Sequence, residues 1–307
     1  MANAARASTD DSDPPPPEAD LESSRMPFLS HLRELRDRVR NAAISFTLAF
    51  ALCFYFAQEI YDWLQVPISD AWSKHPNLPP FKMNFATLTE PFWVNMSVAL
   101  WAGIFVASPF IFYQIWKFIA PGLYKRERKI GVSFAIFSAL FFVGGALFCY
   151  HFVLGRIYEF LLGYASKDTA PVLMLQGYLD LTRDMMLAFG AVFELPLAIY
   201  FLAMIGMVTH RGLWKFNRWF VVIAFVVGAV LTPSPDVVSQ VMMAAPMIVL
   251  YNFSIILAWS VTRKREKAQA ELLAKESAAD TAERERRKAR GLPETDHDDD
   301  DDDDDDD

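Results

Sequence analysis

Six long apolar stretches separated by short polar connections dominate the middle of this chain. A transmembrane helix needs about 20 mainly apolar residues, because each residue adds about 1.5 Å and the hydrocarbon layer is about 30 Å thick. The stretches that meet or approach this length are residues 41–57, 92–115, 130–154, 185–207, 219–231 and 237–261. The sequence therefore predicts an all-α membrane protein with six transmembrane helices.

Composition agrees with this class, since 53% of the residues are hydrophobic although both ends of the chain are strongly polar. The net charge of −8 says little about partners, because the aspartate run at 298–307 alone outweighs it. We expect no nucleic-acid partner. Cys53 and Cys149 lie in apolar stretches without Cys or His at ligand spacing, so no metal or other cofactor is expected. A disulfide between them stays open.

The basic residues of the connections alternate between two sides of the membrane. Lys and Arg are concentrated before the first stretch, between the second and third, between the fourth and fifth, and after the sixth. In the other connections they are absent or balanced by acidic residues, as Arg183 is by Asp180 and Asp184. Because cytoplasmic loops keep an excess of positive charge, both termini are predicted to be cytoplasmic.

The two ends of the chain differ from the transmembrane domain, which we expect to span residues 26–262. Residues 1–25, rich in Ala, Asp, Ser and Pro, are predicted to form a disordered tail. Residues 263–290, rich in Ala, Glu, Lys and Arg, are predicted to form a charged cytoplasmic helix. Residues 291–307 are predicted to be a disordered acidic tail.

The fifth apolar stretch is shorter than the others. Its 13 residues, 219–231, would form a helix only about 20 Å long, and Pro233 and Pro235 oppose its extension. A span of this length must thin the bilayer or be surrounded by protein at its end. The sequence thus predicts short fifth and sixth helices at one edge of the bundle.

The segment 28–40 has the pattern of an amphipathic helix lying at the cytoplasmic interface. Its apolar residues at helical spacing are Phe28, Leu32, Leu35 and Val39. Among them Glu34 lies close to four arginines, where it could accept a cationic ligand. From the residues alone, an interfacial anchor without a ligand remains open.

A second carboxylate, Glu127, begins the third stretch amid basic residues, after Pro121 and Gly122 end the preceding helix. Taken alone, it is simply a favourable negative charge at a helix N-terminus. Glu194 lies within the fourth stretch, where a charge is costly and either a structural or a functional polar role is possible. Asp236 has the position of an N-cap for the sixth helix.

Four strings, in this order, resemble the signature blocks of the TatC family of the twin-arginine protein translocase. They are HLRELR at 31–36, FIAPGLY at 118–124 followed by Glu127, FELP at 193–196 and LTPSPDV at 231–237. The resemblance covers roughly residues 26–261. It implies a concave bundle in the bacterial cytoplasmic (inner) membrane that exports folded proteins, driven by the protonmotive force.

The resemblance also implies that Glu34 and Glu127 recognise the paired arginines of a signal peptide. The chemistry is suitable, because guanidinium groups bind carboxylates in a bidentate, charge-assisted manner that an ammonium group cannot reproduce. The other residues assigned to this site by resemblance are Phe118, Pro121, Tyr124, Arg36 and Arg38.

By the same resemblance, Glu194 lies on a concave face and contacts the polar residue of a single-span partner of the TatA or TatB type. Pro196 is expected to kink that helix and to help form the concavity. Asp236 and Gln240 are expected at a periplasmic hairpin. The family further implies a homo-oligomer within a hetero-oligomeric complex, in contact with membrane lipid.

We expect no enzyme, because the sequence shows no nucleotide loop, nucleophile triad or metal-ligand spacing. The alternative is a secondary transporter of ions or small molecules with Glu194 as its coupling carboxylate. Such transporters often carry internal repeats, and none is evident here. The charged candidates also cluster on the predicted cytoplasmic face, which favours a receptor.

Overall fold

A computed structural model describes residues 17–119, 128–165, 171–232 and 237–289 of the chain. Almost all of these residues are helical, and within these ranges the only β-type pairing is an isolated bridge between Asn84 and Met174. The predicted all-α class is confirmed.

The described helices fall into two compact units, of which one contains everything up to Glu194 and the short segment 229–242. Its helices are α1 Pro17–Tyr55, α2 Ala57–Leu64, α3 Val66–Ser73, α4 Glu90–Ile119, α5 Arg128–Phe148, α6 Gly155–Leu162 and α7 Leu175–Phe193. A π-helical segment, Cys149–Leu154, joins α5 to α6. Cys53 and Cys149 are buried free thiols, so the disulfide left open by the sequence is not formed.

The other unit contains residues 195–228 and the chain from residue 243 onward. Its helices are α8 Leu195–Ile205, most of α9 His210–Leu231 and most of α10 Val237–Ala289. The Phe220 and Tyr251 rings stack with centroids 3.9 Å apart, and the Tyr251 hydroxyl donates to the carbonyl of Leu213 over 2.9 Å. These contacts hold α9 against α10.

Five helical segments are long and apolar enough to cross a membrane individually: residues 90–119, 131–162, 175–205, 210–231 and 237–263. The pair His31–Tyr55 and Ala57–Ser73 passes the same test together and is bent by 76°. Counting that pair as one span gives six among the residues that the structure describes. The membrane class predicted from the sequence is therefore confirmed.

The fifth and sixth candidate spans have 22 and 27 residues and are shorter than the second, third and fourth, which have 30 to 32, but α9 is longer than the 13 residues of its apolar stretch. Helix α9 has 22 residues and is about 33 Å long, and α10 has 53 residues. Hydropathy marks only the apolar part of a helix, whereas α9 begins at His210 and includes the charged residues that precede its apolar stretch. The apolar part of α9 is short, whereas the helix as a whole is not.

The segment 28–40 is helical, as predicted, but it is not a helix of its own. Helix α1 runs without interruption from Pro17 to Tyr55, so this segment is the first part of the helix that continues into the first apolar stretch. The physical reason is plain, because no Pro or Gly occurs between residues 28 and 55 to break it. The helix also starts inside the range 1–25 that was expected to be a disordered tail.

Two glycines bring α5 and α7 into backbone contact. A Cβ atom on Gly145 would lie 2.6 Å from the carbonyl oxygen of Phe189, and one on Gly190 would lie 2.9 Å from the ring of Phe142. Small residues allow such close approach between membrane helices. The contact fixes which residues of α5 face the end of α7.

Candidate functional site

The first candidate cluster lies where α1 meets the end of α4. The His31 imidazole stacks on the Phe118 ring, with centroids 4.4 Å apart and an interplanar angle of 18°. Glu34 follows His31 by about one helical turn, and Phe118 is next to the last residue of α4. Two of the four sequence strings are therefore adjacent in space.

Within this cluster Glu34 has one arginine partner. Arg38 Nη2 donates to Glu34 Oε1 over 2.7 Å, and the Glu34 side chain remains 31% exposed. Arg36 instead pairs with Asp37 at 3.2 Å and is 71% exposed, and Arg40 pairs with the same aspartate at 3.3 Å. Glu34 is thus charge-compensated but accessible from solvent.

The remaining residues expected at this site cannot be placed beside Glu34. Pro121, Tyr124 and Glu127 lie outside the described residues. Phe118 is the member of the second string whose contacts are described, through its stack on His31. His31 belongs to the first string, but nothing in the sequence singled it out for a role. A histidine one helical turn before a glutamate has no distinguishing sequence pattern, and its role becomes visible only when the ring that it stacks on is known.

A second candidate group surrounds Glu194, at a break in the fourth span. Helix α7 ends at Phe193 and α8 begins at Leu195, with the Glu194 amide donating to the Ala191 carbonyl over 3.1 Å in a tight final turn. Pro196 is fully buried. Because proline lacks an N–H and its ring conflicts with the carbonyl four residues earlier, it explains the interruption.

Two residues that the sequence analysis missed, Trp116 and Ser138, form a buried hydrogen bond between α4 and α5. The Trp116 indole N–H donates to Ser138 Oγ over 2.8 Å, and both side chains are buried. Glu194 Oε1 is buried and has no hydrogen-bond partner among the residues that the structure describes. A serine in an apolar span gives no signal in the sequence, because most such hydroxyls bond to their own helix.

Glu90 is another carboxylate that the sequence analysis did not single out. It is 7% exposed, and it accepts hydrogen bonds from the backbone N–H of Ala86 at 2.7 Å and of Gln176 at 3.2 Å. Beside it, Asn84 exchanges two backbone hydrogen bonds with residues 173 and 175, at 2.9 and 2.8 Å. Glu90 thus joins the connection before α4 to the start of α7.

The charges near the start of the fourth span lie on α7, because that helix begins at Leu175. Arg183 pairs with Asp180 at 2.7 Å and with Asp184 at 2.8 Å, and its guanidinium lies 5.3 Å from the centre of the Trp101 ring. Because both aspartates are paired with the same arginine, α7 can carry these three charges on an otherwise apolar helix. Gln240 is half-buried in the first turns of α10, and Asp236 lies outside the described residues.

Residues 30–246 match the family model described as Sec-independent protein translocase protein (TatC). The chain belongs to the TatC family. The TatC protein of Koribacter versatilis is 40% identical over 248 residues, which are 80% of this chain and 90% of that protein. The TatC protein of Aquifex aeolicus is 37% identical over 246 residues, covering 80% of this chain and 99% of that protein.

A crystal structure of a twin-arginine translocase receptor TatC matches with a TM-score of 0.66 and 37% sequence identity. The match covers 76% of this chain and 99% of that one. The family resemblance found in the sequence is confirmed, and this TatC-family chain is a membrane-embedded subunit of the twin-arginine translocase, a component of protein transport. The transporter alternative finds no support among relatives that are named as protein translocases.

Proposed function

We propose that this TatC-family chain is the signal-peptide receptor and core scaffold of its translocase. It binds the paired arginines of a precursor's signal peptide with Glu34 and Glu127, on the cytoplasmic side of a bacterial inner membrane. Both termini lie on that side, in agreement with the distribution of Lys and Arg. A related solved structure is named as a twin-arginine translocase receptor, which supports the assignment.

The observation that carries this proposal is the stack of His31 on Phe118. It ties the helix that bears Glu34 to the residue that leads into the segment containing Glu127. Two carboxylates on separate segments can meet two adjacent arginines only if those segments are held together. The stacked rings hold the two segments together, and an aromatic pair of this kind contributes about 0.5 to 1.5 kcal/mol of stabilising free energy.

The ion pair between Glu34 and Arg38 is compatible with this role. A peptide arginine that displaces Arg38 exchanges one guanidinium for another at the same carboxylate, so the charge of Glu34 stays compensated throughout. Arg38 can then turn towards solvent, since the pair is not deeply buried. Binding of this kind should be of moderate affinity and should weaken as salt increases.

Within the same proposal, Glu194 and Pro196 form the contact for a single-span partner of the TatA or TatB type, and Asp236 and Gln240 belong to a periplasmic hairpin. The break at Glu194 and its unpaired Oε1 support a polar contact there. The assembled complex would contain several copies of this chain and be driven by the protonmotive force, in keeping with a sequence that has no nucleotide-binding loop.

The test is binding of fluorescent signal peptides to the full chain in lipid nanodiscs. A peptide with Arg-Arg should bind, and the same peptide with Lys-Lys should bind at least tenfold more weakly, because lysine lacks the bidentate fork. Glu34→Gln should weaken Arg-Arg binding about tenfold or more, as expected for loss of a charge-assisted hydrogen bond of about 1.5 to 3 kcal/mol. Glu59→Gln, at an exposed residue on α2, is the matched control.

A second pair of variants tests the stack itself. His31→Ala should weaken peptide binding about two- to tenfold, whereas His31→Phe, which keeps an aromatic ring on Phe118, should retain it. Equal capture of the Arg-Arg and Lys-Lys peptides would refute the receptor assignment. Unchanged binding in His31→Ala would show that the stack does not assemble the site.

A further inference from the structure

An apolar cavity of about 270 Å³ lies within the first unit, between α1, α2, α4, α5 and α7. Part of its lining is buried, as at Cys53, Val98 and Ala146. Another part, which includes Val106 and Leu147, is exposed. The cavity therefore runs from the interior of the unit to its surface.

The size and the lining of this cavity favour hydrocarbon over water. Apolar cavities stay dry, and one of about 150 Å³ already holds benzene, so a cavity of this size accommodates a hydrocarbon segment on the order of ten carbons. Because the surrounding helices are membrane spans, the hydrocarbon at hand is the acyl chain of a phospholipid. Such a chain is already out of water, so the cavity attracts it through van der Waals contacts alone. A preference for one lipid over another must come from the headgroup.

A charged group at the edge of the cavity can interact with a headgroup. Of the described residues that line the cavity, Arg183 is the one with a charged side chain. Its Nη1 donates to Asp180 and its Nε to Asp184, whereas its Nη2 has no ion-pair or hydrogen-bond partner in the described part of the chain. Both aspartate side chains are exposed. The three side chains together carry one net negative charge and offer both a donor and acceptors.

We propose that this cavity binds one acyl chain of a phosphatidylethanolamine whose headgroup lies against Arg183, Asp180 and Asp184. The phosphate accepts from Arg183 Nη2, and the primary ammonium group donates to the aspartates. The Trp101 ring, 5.3 Å from the guanidinium, keeps Arg183 at the edge of the cavity. The site does not depend on the proposed receptor function.

The same charges exclude other common headgroups. Phosphatidylglycerol has the phosphate without a cation, so it would add a negative charge beside a group that is already negative. Phosphatidylcholine has a cation, but its quaternary ammonium has no N–H to donate to a carboxylate. We therefore expect phosphatidylethanolamine to bind most tightly, phosphatidylcholine less tightly and phosphatidylglycerol least.

The first test is native mass spectrometry of the full chain after incubation in detergent with equal amounts of the three lipids, all with dioleoyl chains. Wild type should retain phosphatidylethanolamine about two- to fivefold more than phosphatidylglycerol, the range expected for one partly exposed ion pair. Asp180→Asn combined with Asp184→Asn leaves a net positive group and should reverse that order. Glu159→Gln is the matched control, because Glu159 pairs with Lys74 at 2.8 Å but does not line this cavity.

The second test fills the cavity itself. Ala102→Phe places a ring in the cavity and should lower the retention of all three lipids at least twofold. Leu140→Phe is the control, because Leu140 is exposed on α5 and is not part of the lining. Thermal unfolding in the same detergent shows whether each variant is folded.

Each result bears on a separate part of the proposal. Equal retention of phosphatidylethanolamine and phosphatidylglycerol by wild type would overturn the headgroup assignment. An unchanged order in the double Asn variant would show that the aspartates do not select the lipid. Unchanged retention in folded Ala102→Phe would overturn the cavity as the binding site. If Ala102→Phe does not fold, the charge variants, which leave the cavity intact, decide the matter.

Discussion

Three carboxylates of this chain have different partners, and those partners set what each can do. Glu34 is bound by one arginine and remains open to solvent, so that a second guanidinium can compete for it. Glu90 is buried and accepts from two backbone amides, which makes it a structural link. Glu194 has a buried oxygen, Oε1, without a hydrogen-bond partner among the described residues.

Replacing Glu90 by Ala should destabilise the chain by about 2 kcal/mol, because the backbone N–H groups of Ala86 and Gln176 lose their acceptor. Denaturant unfolding in detergent measures the loss. Hydrogen exchange at Gln176 should accelerate in the same variant. Glu59→Ala, at an exposed carboxylate, serves as the control and should be neutral. Equal stability of the two variants would show that the Glu90 link is dispensable.

At the scale of helices, adjacent glycines on α5 make opposite predictions. Gly145→Ala should cost about 1 to 3 kcal/mol, because its Cβ would lie 2.6 Å from a backbone carbonyl that cannot move independently. Gly144→Ala meets nothing within 4 Å and should be neutral or slightly stabilising. Thermal unfolding of the two variants in the same detergent makes the comparison. Similar midpoints would mean that α5 and α7 are not in backbone contact.

Helix boundaries show what hydropathy can and cannot predict. It located every apolar stretch, because lipid exposure requires apolar side chains wherever the chain crosses the membrane. It placed the starts of α1 and α9 too close to the apolar part, because a helix continues through charged residues as long as nothing breaks it. The interruption beside Pro196 was expected, since proline acts locally and is visible in the sequence.

For the whole molecule, family and membrane class followed from four short strings and the six apolar stretches, and both are confirmed. The contacts between residues that are far apart in the sequence could not be predicted from it. The pairing of His31 with Phe118, of Trp116 with Ser138 and of Glu90 with Gln176 depends on which helix faces meet. A single sequence does not show which helix faces pack together. These residues were therefore not distinguishable from other aromatic, hydroxyl-bearing and helix-terminal residues.

The orientation of the chain is predicted by its basic residues and can be tested with single cysteines. Lys82→Cys should react with a membrane-impermeant maleimide added to spheroplasts from outside, and Lys267→Cys only in inverted vesicles. Both positions are exposed, and the two native thiols are buried and should give little background. Reaction of Lys267→Cys in spheroplasts would reverse the assigned orientation.

Helix α10 carries the sixth apolar stretch and the charged residues beyond Arg263 on one uninterrupted backbone, which extends about 39 Å past that arginine. The guanidinium of Arg263 lies 5.3 Å from the centre of the Trp259 ring, so the boundary between the two parts carries a contact of its own. A helix that is uninterrupted at this boundary tilts as one body. A small tilt of its apolar part displaces its charged end by a distance that grows with the length of the helix. A dye at the charged end would therefore report movements that are too small to resolve inside the bilayer.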